Sequence, residues 1–84
     1  MTTQKTYGLP ARRLGEYFDA EGAFSARGGG WVYKDCEIMV TPLEPKALSG
    51  VVVVPRTLVR VKGDAAQAAE IFDMLFIRFL SVGG

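Results

Sequence analysis

The chain has no histidine and a single cysteine, Cys36. The first absence removes the commonest general base, the usual zinc ligand and the side chain that titrates near neutrality. The second excludes an internal disulfide and any cysteine-based zinc site within one chain. No apolar run approaches the ~20 residues that a membrane-spanning helix requires. The opening Met1-Thr2-Thr3-Gln4-Lys5-Thr6 lacks the charged stretch and apolar core of a secretory signal. Neither sign of charge dominates, since Lys and Arg number 10 against 9 Asp and Glu, a net of +1. A protein built to grip a phosphate backbone normally carries a larger basic excess. These absences point to a cytoplasmic protein with no membrane contact, no cofactor and no bound metal.

What is present suits one domain spanning 1–84. The composition, 49% hydrophobic and 23% charged, is that of an ordinary globular chain. Eighty-four residues build one core and leave little stability to spare.

The spacing of Leu14, Tyr17 and Phe18 predicts a first helix over Pro10–Ala20, with proline in the first turn and Gly22 as its stop. Gly15 inside that helix requires either a close neighbour or a frayed turn. Gly28-Gly29-Gly30 then leads into Trp31-Val32-Tyr33 and reads as a hairpin turn. A phosphate-cradling loop would instead open a helix. A long strand is expected over Trp31–Thr41, ended by Pro42, with 42–50 as a loop. Within it Cys36, Ile38 and Val40 face inward. Continued back, the alternation puts Trp31 and Tyr33 outward with Asp35 and Glu37. Residues 51–62 supply the third strand, interrupted at Pro55, with Thr57, Val59 and Val61 inward. Asp64 and Gln67 resemble a capping box that opens a last helix, apolar nearly all round from Ile71 to Leu80. The expected fold is therefore α+β: helix, three-stranded antiparallel sheet, helix, with both helices on one face. Residues 1–8 are either a flexible lead or a short extra strand.

In element order, over about residues 10–81, the chain resembles the double-stranded-RNA-binding domain. Gly63-Asp64-Ala65-Ala66-Gln67 stands where that family has a basic cluster, and its loop histidine has no counterpart. The resemblance therefore implies a fold and carries over no binding residue. The final Gly83-Gly84 resembles the tail of ubiquitin-like and sulfur-carrier proteins, which implies an adenylated Gly84 carboxylate. Those folds open on a hairpin, not a helix, and glycine also commonly ends helices.

No catalytic residue is assigned. Cys36 sits mid-strand facing inward and has no histidine to activate it. Glu16, Asp19 and Glu21 read as a solvated helix face. Asp35 and Glu37 read as cross-strand partners of the outward bases.

Three functions follow, in order. The first is a protein-binding or homodimerising domain, because the last helix carries more apolar surface than three strands cover; Met74, Phe76, Ile77 and Leu80 form its interface. The second is a nucleic-acid-binding module on the outer sheet face, using Trp31, Tyr33, Arg56, Arg60 and Lys62. The third is the Gly84 carrier.

Overall fold

The computed structural model describes the backbone of residues 1–83 and the side chains through Phe79. The elements run β1 (Thr2–Tyr7), α1 (Ala11–Ala20), β2 (Ser25–Arg27), β3 (Gly30–Tyr33), β4 (Cys36–Ala47), β5 (Val53–Lys62) and α2 (Ala65–Gly83). The sheet has five strands in the order β1-β5-β4-β3-β2, every neighbouring pair antiparallel. The α+β class stands; the three-strand, α-β-β-β-α order does not. Nor does the element order of the double-stranded-RNA-binding domain over residues 10–81, because four strands, not three, lie between the two helices.

Two features account for the extra strands. Thr2, Thr3, Thr6 and Tyr7 are β-prone, and their partner is remote: β1 pairs with β5 from Thr2↔Lys62 to Tyr7↔Thr57. The expected long strand is cut by a two-residue turn at Lys34-Asp35, which places Tyr33 opposite Cys36. Lys34 takes the left-handed φ of 52° that such turns demand. Residues directly opposite in a hairpin share a face, so this turn reverses the assignment of β3. Trp31 and Tyr33 lie on the helix side with Ile38 and Cys36, not on the outer side.

The glycine turn follows its expectation. Gly28 and Gly29 have φ of 55° and 82° and join β2 to β3. Pro42 does not end β4, and 42–50 is not a loop. The strand runs on to Ala47, paired with β5 through Ala47↔Val53, with a register shift between Leu43 and Lys46. β3 reaches β4 only at residues 36–38, and β1 reaches β5 only at 57–62. β4 therefore has an open edge from Met39 on, and beyond the Pro42↔Thr57 pair β4 and β5 continue as a free two-stranded ribbon. It explains a molecule measuring 43 × 24 × 21 Å. Proline is tolerated there because the ribbon has no outer neighbour to receive a ladder bond.

Both helices pack on one face of the sheet. Leu14 and Phe18 of α1 and Ala68, Ile71, Phe72 and Leu75 of α2 join Tyr33, Cys36, Ile38, Val59 and Val61 in one buried cluster. Gly15 has the close neighbour it requires, since the Trp31 ring lies 3.4 Å from where a Cβ would stand. Trp31 also donates from Nε1 to Asp19 Oδ1 at 2.9 Å. Asp64 caps α2, its Oδ2 accepting from Gln67 N–H at 3.0 Å. The reciprocal half of a capping box is not formed: the Gln67 side chain instead accepts from the Asp35 N–H at 3.1 Å. That bond ties the Lys34-Asp35 turn to the helix.

Candidate functional site

The register divides the charged side chains between two surfaces. Thr2↔Lys62↔Glu37, Gln4↔Arg60↔Met39 and Leu43↔Arg56 lie outward, and Ser25 and Arg27 continue this face through Val32. Arg27, Arg56, Arg60 and Lys62 against Glu37 alone leave the uncovered face three positive charges in excess. The expected charge pairing is absent among the described residues: the ion pairs are Arg12–Glu16 and Lys34–Glu70, neither on this face. Asp35 is drawn into the turn, and Glu37, though opposite Lys62, makes no ion pair with it. A depression of about 300 Å³ lies between Arg27, Glu37, Met39, Arg60 and Lys62.

Of the five residues expected to contact nucleic acid, the structure brings together Arg56, Arg60 and Lys62 and separates them from Trp31 and Tyr33. Among the described residues the outer face thus gathers cations, while the Trp31 and Tyr33 rings pack on the helix side. Arg27, absent from the expected nucleic-acid contacts, joins the bases because the Gly28-Gly29 turn folds β2 alongside β3. The alternation of Ser25, Ala26 and Arg27 is its only signal.

On the helix side the polar groups serve the fold. Tyr33 donates to Glu70 Oε1 at 3.0 Å, and Lys34 Nζ donates to the same oxygen at 2.9 Å. The Lys34 bond, then the Tyr33 bond, hold the Glu70 carboxyl below its ordinary range. A depressed carboxyl stabilises the fold above its unfolded pKa, and that contribution fades as pH falls through the folded value. Cys36 is fully buried, and burial pushes its thiol upward, the direction of an unreactive cysteine. No three His, Cys, Asp or Glu side chains converge as metal ligands among the described residues. No helix described is long and apolar enough to cross a membrane.

The second surface is the flank of α2. Phe76 and Ile77 are 61% and 71% exposed, while Ile71, Phe72 and Leu75 on the same helix are buried. Met74 is half-buried, packed against the core at the edge of this flank. The side chain of Leu80 lies outside the described residues, as does Gly84. Between Met74, Ile77 and α1 runs a trench of about 290 Å³, flanked by Tyr17, Glu21 and Arg78.

A third surface was not foreseen. The ribbon ends in a tip whose Leu48 N–H donates to the Val52 carbonyl at 2.8 Å, while Ser49 Oγ accepts from Val52 N–H at 3.2 Å. Leu48, Val51, Val52 and Val53 are all exposed on it. Only Val54 is half-buried, because no other element reaches the outer ribbon.

No protein-family model matches the chain, and no curated protein matches it. The fold and these surfaces define a small α+β domain with one cationic open face and two apolar patches.

Proposed function

We propose that the chain is a non-catalytic, macromolecule-binding domain of the cytoplasm that pairs with a protein, most simply a second copy, along the Phe76–Ile77 flank of α2. One observation carries this reading. Two large apolar side chains stand exposed, side by side, on a helix whose opposite face is core. Burying each fully is worth about 1.5–3 kcal/mol, and twofold pairing is the commonest way to cover such a surface. The lone buried thiol suits a reducing compartment. Sedimentation equilibrium at ~50 μM is expected to give twice the chain mass of 9.1 kDa. The double variant Phe76→Lys, Ile77→Lys is expected to sediment as a folded monomer, since both positions lie outside the core. A wild type that stays monomeric at ~1 mM overturns self-pairing.

A second reading, nucleic-acid binding on the outer sheet face, is favoured by the four cations there that make no ion pair among the described residues. Without an aromatic platform it rests on phosphate contacts, so its affinity should fall steeply with salt and show little preference for base sequence. Replacing Arg56, Arg60 and Lys62 by glutamine should abolish binding to a single-stranded oligonucleotide at ~0.05 M salt and flatten the salt dependence. Equal binding by wild type and triple variant, or none by either, rules this reading out.

A further inference from the structure

β1 is an outer strand of the sheet and the strand that α2 approaches most closely. We infer that a second copy pairs along its open edge, β1 against β1 and antiparallel, with Gln4 opposite Gln4. Two five-stranded sheets then become one, and the Phe76 sides of the two α2 helices meet over the seam. The inference rests on the reading above, that the α2 flank pairs with a second copy, and supplies the rest of that interface.

The ladder determines which backbone groups are free. Gly63 N–H donates to the Met1 carbonyl at 2.8 Å, which makes Met1 and Gly63 a hydrogen-bonded pair. Such pairs alternate with non-bonded ones along an antiparallel ladder. Thr3, Lys5 and Tyr7 therefore direct their N–H and C=O groups to β5, and those of Thr2, Gln4 and Thr6 point to the open edge. Among the described residues no strand lies beyond them. The other open edges are poorer templates: β2 has only Ser25–Arg27, and β4 past Met39 carries Pro42 and Pro45. β1 offers 6 residues with no proline and no register shift.

The side chains choose the register. Residues directly opposite share a face, so no outward residue can stand against an inward one. Of the two central registers that remain, Lys5 opposite Lys5 brings like charges together. Gln4 opposite Gln4 sets Thr2 against Thr6 and Lys5 against Thr3. It also engages every free residue of the edge, in three pairs that exchange two bonds each. The apolar flank lies on the same side of the molecule. Lys5 Nζ stands 5.1 Å from the centroid of the Phe72 ring, so Phe72 faces β1. Phe76 follows one turn later on that side of the helix and is 61% exposed. Phe76 and Ile77 together offer about 250 Å² per copy. The flank alone would bury about 500 Å² in all, well below the roughly 1,200–2,000 Å² of stable interfaces. The edge adds 6 residues from each copy to it.

The test is the full chain carrying Gln4→Cys, oxidised with glutathione disulfide and mapped by peptide mass spectrometry. Hydrogen-bonded partners stand about 5.5 Å apart at Cα, within reach of a disulfide, and Cys36 is fully buried. A dimer linked through residue 4 of both copies is expected, while Thr6→Cys, which faces Thr2 of the second copy, stays unlinked. In parallel, Gln4→Pro removes one edge N–H and no bond to β5, and should weaken association by roughly tenfold or more. Thermal unfolding checks that this variant keeps its fold; if it does not, the link at residue 4 decides alone. No such link, or equal linkage of Thr6→Cys, overturns edge pairing, and a monomeric Phe76→Lys, Ile77→Lys variant then leaves pairing along α2 standing. A residue-4 link that persists in Phe76→Lys, Ile77→Lys overturns the α2 contact and the reading above, and leaves the strand pairing. A monomeric wild type overturns both.

Discussion

Replacing Phe18 by alanine is expected to cost about 3–5 kcal/mol and to leave the chain largely unfolded at 37 °C. Phe18 is fully buried. Its ring lies 4.8 Å from that of Phe24 and 5.2 Å from that of Trp31, and 5.5 Å from Tyr17. Removing it strips three aromatic neighbours of their contacts and leaves a cavity that rings cannot easily collapse to fill. A domain of 84 residues holds about 4–13 kcal/mol in total, so one truncation removes a large share. Urea unfolding followed by tryptophan fluorescence reads the change directly, because Trp31 packs on the same ring. A midpoint within error of wild type would show that α1 is not anchored there. Phe76→Ala is the contrast: its side chain is mostly in water, and its expected effect on monomer stability is within about 0.5 kcal/mol.

Gly63→Ala is expected to lose about 2–5 kcal/mol through a different cause. Gly63 joins β5 to α2 with φ 145°, a conformation that side chains rarely adopt. A Cβ there would stand 2.9 Å from the Asp35 carbonyl oxygen and 2.9 Å from Cys36 Sγ. The first of these is backbone, held by the Lys34-Asp35 turn, and cannot yield without disturbing the Gln67 bond. Gly63 N–H also donates to the Met1 carbonyl at 2.8 Å, so any shift is felt at β1. Gly22→Ala serves as the control, since nothing lies within 4 Å of its Cβ position. Thermal unfolding of the two variants should separate them clearly. Similar melting temperatures would mean that the β5–α2 junction accommodates a side chain by moving as a unit.

The parts of this fold that sequence reveals are those whose signals are local. The capping aspartate and alanine run of α2, the Leu14–Phe18 stripe and the Gly28-Gly29 turn each act over a few residues, and each is where the pattern puts it. The inward set Thr57, Val59 and Val61 is also as expected. What escaped is non-local or unmarked. β1 is a polar, threonine-rich segment whose assignment depends on a partner some fifty-five residues away. The Lys34-Asp35 turn carries no glycine, asparagine or proline, and its left-handed residue is a lysine steadied by Glu70. Missing it carried Trp31 and Tyr33 to the wrong face and took the aromatic platform with them. The prolines of β4 misled for a third reason: their rule applies to strands with neighbours, and the ribbon has none. Of the candidate surfaces, Phe76 and Ile77 were legible as surplus on an over-apolar helix. The tip was not, because the prolines marked 42–50 as a loop and nothing local shows that β4 and β5 run on together to Ala47↔Val53.

The placement of β1 has a consequence for the order of events during synthesis. Residues 2–7 leave the ribosome some fifty residues before the strand they pair with, 57–62. At about 5–20 residues per second the early segment waits several seconds for its partner. The hairpins β2–β3, β3–β4 and β4–β5 close between near neighbours and can form while the chain is still growing; only the β1–β5 seam spans nearly its whole length. Seams of that kind close slowly, because the loop entropy is spent before any contact repays it. In that interval the outer edge of β5 is bare and its row of backbone groups is open to any passing strand. A newborn chain is thus exposed to mispairing from the time β5 emerges until β1 docks on it, and β1 is the latch that ends that exposure.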